Sequence, residues 1–201
     1  TTFEEQYLIM RAIVAATDSG GPLTLVGCSW GTLVVSAYAS RLPAAVDTLV
    51  LGSFGVKPSA EMRDVIREGR RLYESGAREA GGHLIIERFG QNISPMYKKR
   101  IVAQFERMDE EQARAFVNHC RFVDSVSHID ELIDLNAITA RTLIINGAND
   151  TILDLEDVDI AANRIANCQS RIVEDAGHFL HFERPDIINI YAEFLEQRSC
   201  A

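Results

Sequence analysis

The tightest constraint in this chain is the pentapeptide Gly27-Cys28-Ser29-Trp30-Gly31. It stands between the apolar run Leu23-Thr24-Leu25-Val26 and a run of small and aliphatic residues that includes Leu33, Val34 and Ala37. A strand that turns straight into a helix makes a tight, strained bend, which pushes one side chain out at the carboxyl edge of the sheet. The flanking positions have to be nearly bare, because a Cβ there would strike the strand or the helix. Gly27 and Gly31 meet that requirement around Ser29. The five-residue pattern is weak evidence by itself. A strand-like run before it and a helix-like run after it give it weight, and Ser29 is predicted to be an exposed nucleophile.

The pattern on either side of this turn fixes the fold class. Residues 2–16 read as a helix, with Phe3, Tyr7, Met10 and Val14 at helical spacing and a capping box formed by Thr2 and Glu5. Asp18-Ser19-Gly20-Gly21-Pro22 reads as a turn. A strand over 23–28 leads into the helix after Ser29, which Pro43 should close. Residues 46–52 form a second strand, apolar almost throughout, as suits a parallel strand buried on both faces. Strand, helix and strand at this spacing make a right-handed βαβ unit.

The alternation resumes late in the chain. A strand is predicted over 141–146, a helix from Asp154 and Asp157 to about residue 166, and a short strand over 170–174. Pro185 opens a closing helix in which Ile188, Tyr191 and Leu195 are expected to face the sheet. Between the two halves, residues 57–140 show no strand. Met62, Val65, Ile66, Leu72 and Tyr73 mark one amphipathic helix there, and Pro95 opens a second with Val102 and Phe105 on its apolar side. Asp109 begins a third along Ala113, Phe116, Val117 and Cys120, and Ile129 with Ile133 suggests a fourth. The expected fold is α/β, mostly parallel, with its core in residues 1–56 and 141–201 and a helical lid in 57–140.

Ser29, Asp150 and His178 each fall just beyond the carboxyl end of a separate predicted strand, the edge where open parallel sheets hold their ligands. A serine hydroxyl needs a base to take its proton, and an imidazole serves if a carboxylate fixes its tautomer. The order Ser, Asp, His, the Gly-Cys-Ser-Trp-Gly turn, Asn-Gly-Ala-Asn-Asp at 146–150 and Ala-Gly-His-Phe at 176–179 together resemble the α/β-hydrolase superfamily over the whole chain. The resemblance implies Ser29 as nucleophile, His178 as base and then acid, Asp150 orienting it, and the Trp30 backbone N–H as one oxyanion donor. It implies no cofactor and no metal. It also implies further strands ahead of residue 23, where this sequence has one helix. The chain therefore reads as an α/β-hydrolase fold truncated at its N-terminus. Its sheet of about four strands would have an open edge suited to homo-oligomer formation.

Three short pieces of the helical segment narrow the resemblance: Ser94-Pro95-Met96-Tyr97, Gln112-Ala113-Arg114-Ala115-Phe116 and Cys120-Arg121-Phe122. They are similar to the acyltransferases that make 3-(3-hydroxyalkanoyloxy)alkanoic acids for rhamnolipid synthesis, which join two 3-hydroxyacyl groups. The Ser-Trp-Gly turn is also similar to that of proline iminopeptidases, whose lids carry acidic groups for a free amine. The function expected is serine-dependent transfer or hydrolysis of an ester or thioester of an apolar acyl chain. Hydrolase folds also serve as receptors that bind small molecules without turnover, and this alternative stays open. Met62, Ile66, Leu72, Phe89, Met96, Phe105, Met108, Phe116 and Phe122 are the apolar candidates for closing a core or lining an acyl channel.

Other residues compete for attention. Asp154 is a second candidate acid, but it stands where a helix N-cap is needed. His181 reads as a lid or core contact; His83, His119 and His128 read as surface or satisfied helix residues. Cys28 is expected to pack and Asp124 to be a solvated charge. The four cysteines are scattered with no C-x-x-C pair, which suggests neither zinc nor a disulfide framework and suits a cytoplasmic protein. A net charge of −9 argues against a nucleic-acid partner, and no apolar stretch is long enough for a membrane span.

Overall fold

The computed structural model describes residues 2–17 and 20–197. The first two residues of the predicted turn at 18–22, and Cys200, lie outside the described residues. The chain opens with α1 (Phe3–Thr17), then β1 (Thr24–Cys28), α2 (Trp30–Arg41) and β2 (Thr48–Gly52). Four helices follow without a strand between them: α3 (Ala60–Glu74), α4 (Arg78–Phe89), α5 (Pro95–Glu106) and α6 (Glu110–Ser125). The alternating pattern returns with β3 (Arg141–Gly147), α7 (Leu155–Arg164) and β4 (Cys168–Val173). The short α8 (Leu180–Glu183) and α9 (Ile187–Glu196) end the described chain.

The capping box at the start of α1 forms as its residues predict: Thr2 N–H donates to Glu5 Oε2 at 2.7 Å, and Glu5 N–H to Thr2 Oγ1 at 3.2 Å. The strands make a fully parallel sheet in the order β1-β2-β3-β4. Val26, Val50 and Leu143 stand level across it, as do Gly27, Leu51 and Ile144. Alternate residues therefore serve opposite layers. Leu49, Leu51 and Ile144 join Tyr7, Val35, Tyr38 and Val158 from α1, α2 and α7 in one core. Val50, Leu143 and Ile145 join Ile187, Tyr191 and Phe194 from α9 in another. β2 lies between two strands with every residue buried, which its unbroken apolar sequence demands.

Three expectations are corrected here. On α9 the inward residues are Ile187, Tyr191 and Phe194, whereas Ile188 is 63% exposed. The helix starts at Ile187; Tyr191 faces inward as expected, while Ile187 and Phe194 take the places expected of Ile188 and Leu195. A helix the sequence hides, α4, lies between the first two predicted in the 57–140 segment. Its Gly81-Gly82 pair lowers helix propensity, and close packing explains the pair: a Cβ on Gly82 would sit 3.0 Å from Phe105 Cβ and 3.3 Å from Val102 Cα on α5. Finally, Ile129 and Ile133 belong to no α-helix. Residues Ile129–Glu131 and Leu135–Ala137 make separate 3₁₀ turns, capped by His128 and Asp134.

Candidate active site

Ser29 sits between the last residue of β1 and the first of α2, at φ 50° and ψ −125°. Positive φ is uncommon for any residue with a side chain, and its presence here is the strain that a strand-to-helix bend imposes. The Ser29 N–H donates to Gly52 O at 2.8 Å, pinning the bend to the end of β2. A Cβ on Gly27 would lie 2.6 Å from Val35 Cγ2 and 2.7 Å from the Gly31 carbonyl oxygen, so the residue must stay bare. Gly31 differs from expectation: a Cβ there meets nothing within 4 Å. The close approach runs one way, from the strand onto the backbone of the helix.

The loops after β3 and β4 deliver the other two groups. Ser29 Oγ lies 2.8 Å from His178 Nε2, and His178 Nδ1 lies 2.8 Å from Asp150 Oδ2. Both the imidazole and the carboxylate are buried. The second carboxylate oxygen of Asp150 accepts the Ile152 N–H at 3.0 Å, which fixes its plane. Ser53 Oγ donates to the His178 carbonyl at 2.7 Å, and the rings of Phe89 and Phe179 stand edge-on to the imidazole. The Trp30 backbone N–H, on the first residue of α2 and next to Ser29 in the chain, has no protein acceptor among the described residues.

Ser29 and His178 both line a cavity of about 260 Å³. The helical segment contributes Met62, Ile66, Phe89, Phe105 and Phe116 to its walls, five of the nine apolar candidates, and Leu33, Leu153 and Phe179 come from the sheet side. Met96 is instead 62% exposed, and Phe122 packs on Phe3 and Trp30. No Asp or Glu is among the cavity-lining residues, and the Lys57 ammonium at its wall is paired with Asp157 at 3.0 Å.

The competing residues sort by their contacts. Asp154 caps α7, accepting the Glu156 N–H at 3.1 Å, and takes no part in the triad arrangement. His181 accepts from or donates to Tyr191 OH at 2.8 Å, with Cys28 Sγ 3.7 Å from its Nε2. Cys28 is exposed rather than packed inside. His83 is exposed beside Glu79, and His128 Nδ1 accepts the Asp130 N–H. Asp124 is not a freely solvated charge: it accepts from Arg67 Nε at 2.9 Å, with Arg70 4.0 Å away, and is largely buried.

His119 is the residue the sequence reading placed wrongly. It lines the cavity, its ring stands edge-on to Trp30 at 4.5 Å, and neither of its nitrogens has a hydrogen-bond partner among the described residues. Burial holds its pKa below the ordinary imidazole value. A signal was present in the sequence. Phe116, His119, Cys120 and Val123 recur at i, i+3, i+4 and i+7, and all four line the cavity.

A fold of this order, with a hydrogen-bonded serine, histidine and aspartate at the carboxyl edge of its sheet, defines a class of protein. The sequence profile of the alpha/beta hydrolase family matches residues 3–189, and the chain belongs to that family. It is 24% identical over 155 residues to an (R)-3-hydroxydecanoyl-ACP:CoA transacylase of Pseudomonas putida, covering 77% of this chain and 52% of that one. It is 28% identical over 178 residues to monoacylglycerol lipase ABHD6 of Homo sapiens, covering 82% and 51%. The chain thus spans about half the length of these curated relatives. Among solved structures it resembles the alpha/beta hydrolase MGS-M2 from a Medee basin deep-sea metagenome library, with a TM-score of 0.83 at 17% identity. That match covers 100% of this chain and 74% of the other. The enol-lactonase of Burkholderia xenovorans LB400 superposes with a TM-score of 0.76, again at 17% identity, over 98% and 74%. Among the described residues no helix is long and apolar enough to cross a membrane.

Proposed function

We propose that this protein is a serine-dependent acyl-transfer enzyme that acts on an ester or thioester of an apolar acyl chain. The observation that carries the reading is the Ser29–His178–Asp150 hydrogen-bond chain opening onto a cavity lined by Met62, Ile66, Phe89, Phe105 and Phe116. Ser29 Oγ attacks the carbonyl carbon as His178 Nε2 takes its proton. The Trp30 N–H donates to the oxyanion as the tetrahedral intermediate forms. The bond to the alcohol or thiol then breaks, and His178 returns the proton to that leaving group. Water or an acceptor hydroxyl attacks the acyl-serine with His178 again as base, and the proton ends on Ser29 Oγ. Asp150 holds the imidazole tautomer and balances the imidazolium throughout.

Residues 57–140 act in this reading as the lid that gives the acyl chain its apolar walls. The transacylase and lipase names of two relatives both denote acyl substrates, which supports it. A peptidase that grips a free amine is disfavoured, because no carboxylate lines the cavity. A fluorophosphonate probe tests the proposal. Labelling at Ser29 that is lost in Ser29→Ala is the expected result. A folded protein that takes no label is a binding module, and the proposal fails.

A further inference from the structure

His178 rides on the loop between β4 and α8, and that loop is tied down from two directions. Ser53 Oγ donates to the His178 carbonyl at 2.7 Å, from the segment after β2. The second tie comes from the chain just ahead of the loop. Gly177 N–H donates to Glu183 Oε2 at 2.7 Å, and Glu183 is the last residue of α8. Arg184, which follows it, donates from Nη1 to the Glu174 carbonyl at 2.7 Å. The end of α8 thus folds back onto the loop on the N-terminal side of His178.

Two features single out the Glu183 carboxylate. The first is the shape of its partner. A Cβ on Gly177 would lie 3.1 Å from both Glu183 oxygens. Gly177 is not at positive φ, so its bareness serves the close approach of the carboxylate rather than an unusual backbone conformation. The second is a cost. Glu183 Oε1 is buried and has no hydrogen-bond partner among the described residues. An unpaired buried carboxylate oxygen is destabilising, and a smaller apolar side chain would avoid it. Glu183 also lines the same small polar recess as Asp150 and His178, walled further by Asn92, Asn149 and Thr151.

We infer that Glu183 is a positioning residue for His178: its carboxylate grips the Gly177 peptide and so sets the imidazole between Ser29 Oγ and Asp150 Oδ2. The inference rests on the acyl-transfer reading for the role of His178 as base, but the placing of the ring can be read without turnover. What the Gly177 N–H needs is an oxygen at the right reach, and the charge is secondary.

Three substitutions separate reach from charge. Glu183→Ala removes the acceptor, Glu183→Asp keeps the charge but draws it back by one methylene, and Glu183→Gln keeps an oxygen in place without the charge. Each is read by the proton NMR signal of His178 Nδ1–H in its bond to Asp150, and by hydrolysis of p-nitrophenyl octanoate. Glu183→Ala and Glu183→Asp should shift or broaden the signal and lower kcat about 10- to 100-fold, since about 1 Å of misplacement costs about 10² in rate. KM should stay within about twofold of native, because the acyl cavity is untouched. Glu183→Gln should restore the signal and bring kcat to within about threefold of native. Gly177→Ala, whose Cβ crowds the carboxylate, should match Glu183→Ala, and the double variant should lose no more than either one. A native signal in Glu183→Ala overturns the inference, as does a loss in Glu183→Gln as deep as that in Glu183→Ala, or a rise in KM at constant kcat. If Glu183→Ala does not fold, Glu183→Asp against Glu183→Gln decides by the same readouts. A native protein that takes no fluorophosphonate and hydrolyses no ester sinks the acyl-transfer reading, and the NMR signal still decides whether Glu183 places the ring.

Discussion

In the proposed mechanism Asp150 contributes only orientation and charge, and replacing it by asparagine isolates that contribution. The native carboxylate has two fixed jobs, accepting the Ile152 N–H at 3.0 Å through Oδ1 and meeting His178 Nδ1 at 2.8 Å through Oδ2. An asparagine has one oxygen and one NH₂ to put in those places. The Ile152 N–H needs the oxygen, so the NH₂ turns towards Nδ1 and makes that nitrogen an acceptor. The imidazole then carries its proton on Nε2, facing Ser29 Oγ at 2.8 Å, and cannot take the serine proton. A comparable change in a serine protease lowers turnover about 10⁴-fold, or about 5 kcal/mol of transition-state stabilisation. Asp154→Ala is the internal control. It removes the α7 cap, at about 1 kcal/mol of stability, and disturbs no contact with Ser29, His178 or Asp150, the only ion-pair contact of Asp154 among the described residues being with Lys57 at 3.9 Å. Steady-state hydrolysis of a p-nitrophenyl ester, with thermal melts of all three proteins, reads both effects. The reasoning is refuted if Asp150→Asn keeps more than a tenth of the native kcat, or if Asp154→Ala loses more activity than Asp150→Asn.

Three further outcomes are expected. Gly27→Ala should abolish fluorophosphonate labelling, because its Cβ would lie 2.7 Å from the Gly31 carbonyl oxygen, whereas Gly31→Ala should label normally; equal labelling of the two would show that the strand-helix approach does not shape the bend. kcat/KM for p-nitrophenyl esters should rise from acetate to octanoate, by at most about fourfold per methylene from about 0.8 kcal/mol of burial each; a flat series would remove the apolar cavity from the substrate site. Val26 is 51% exposed on β1, which pairs with β2 alone among the described residues, so the 201-residue chain should self-associate in light scattering and Val26→Lys should reduce it; identical masses for both proteins would count against association through this edge.

What was legible in the sequence was whatever local grammar writes. Ser29 is framed by glycine within two residues on each side, Asp150 follows an apolar strand and His178 a short one, each closely enough for the edge of a parallel sheet to be the natural place for them. The parallel pairing of the strands followed from the alternation of strand and helix, and the α1 cap from two side chains three residues apart. What was hidden depends on partners distant in sequence. Gly81 and Gly82 look like helix breakers until Tyr73 of α3 is packed against the first and α5 against the second, when they become the reason α4 can approach so closely. Asp124 resembles any exposed acid until α3 brings Arg67 to it, 57 residues away in sequence. His119 lay on a readable stripe with Phe116 and Val123, but a lone histidine on an amphipathic helix gives no sign of whether that stripe faces a packed neighbour or an open cavity.

The geometry at Ser29 is held less by the strands that carry the three side chains than by the segment that follows β2. Residue 52 accepts the Ser29 N–H, and the Ser53 N–H donates to the Ile145 carbonyl on β3. Ser53 Oγ reaches the His178 carbonyl, and the buried Asn146 side chain accepts from Phe54 N–H at 3.2 Å and donates to Phe54 O at 2.8 Å. Three consecutive residues thus fasten the bend after β1 and the loop after β4 to the end of β3. Ser53 does so at φ 53°, a conformation that costs energy for a residue with a side chain and is tolerated because its neighbours over-determine it. The same three residues lead directly into the helical segment, and Ser53, Gly55 and Val56 line the cavity. Reacting groups misplaced by about 1 Å lose about 10² in rate, so under the proposed mechanism a strap that fixes Ser29 and His178 together is where strain is tolerated. It also makes the route by which a ligand pressing on the helical walls would be felt at Ser29: through residues 52–56, bonded to the bend on one side and continuous with the cavity wall on the other.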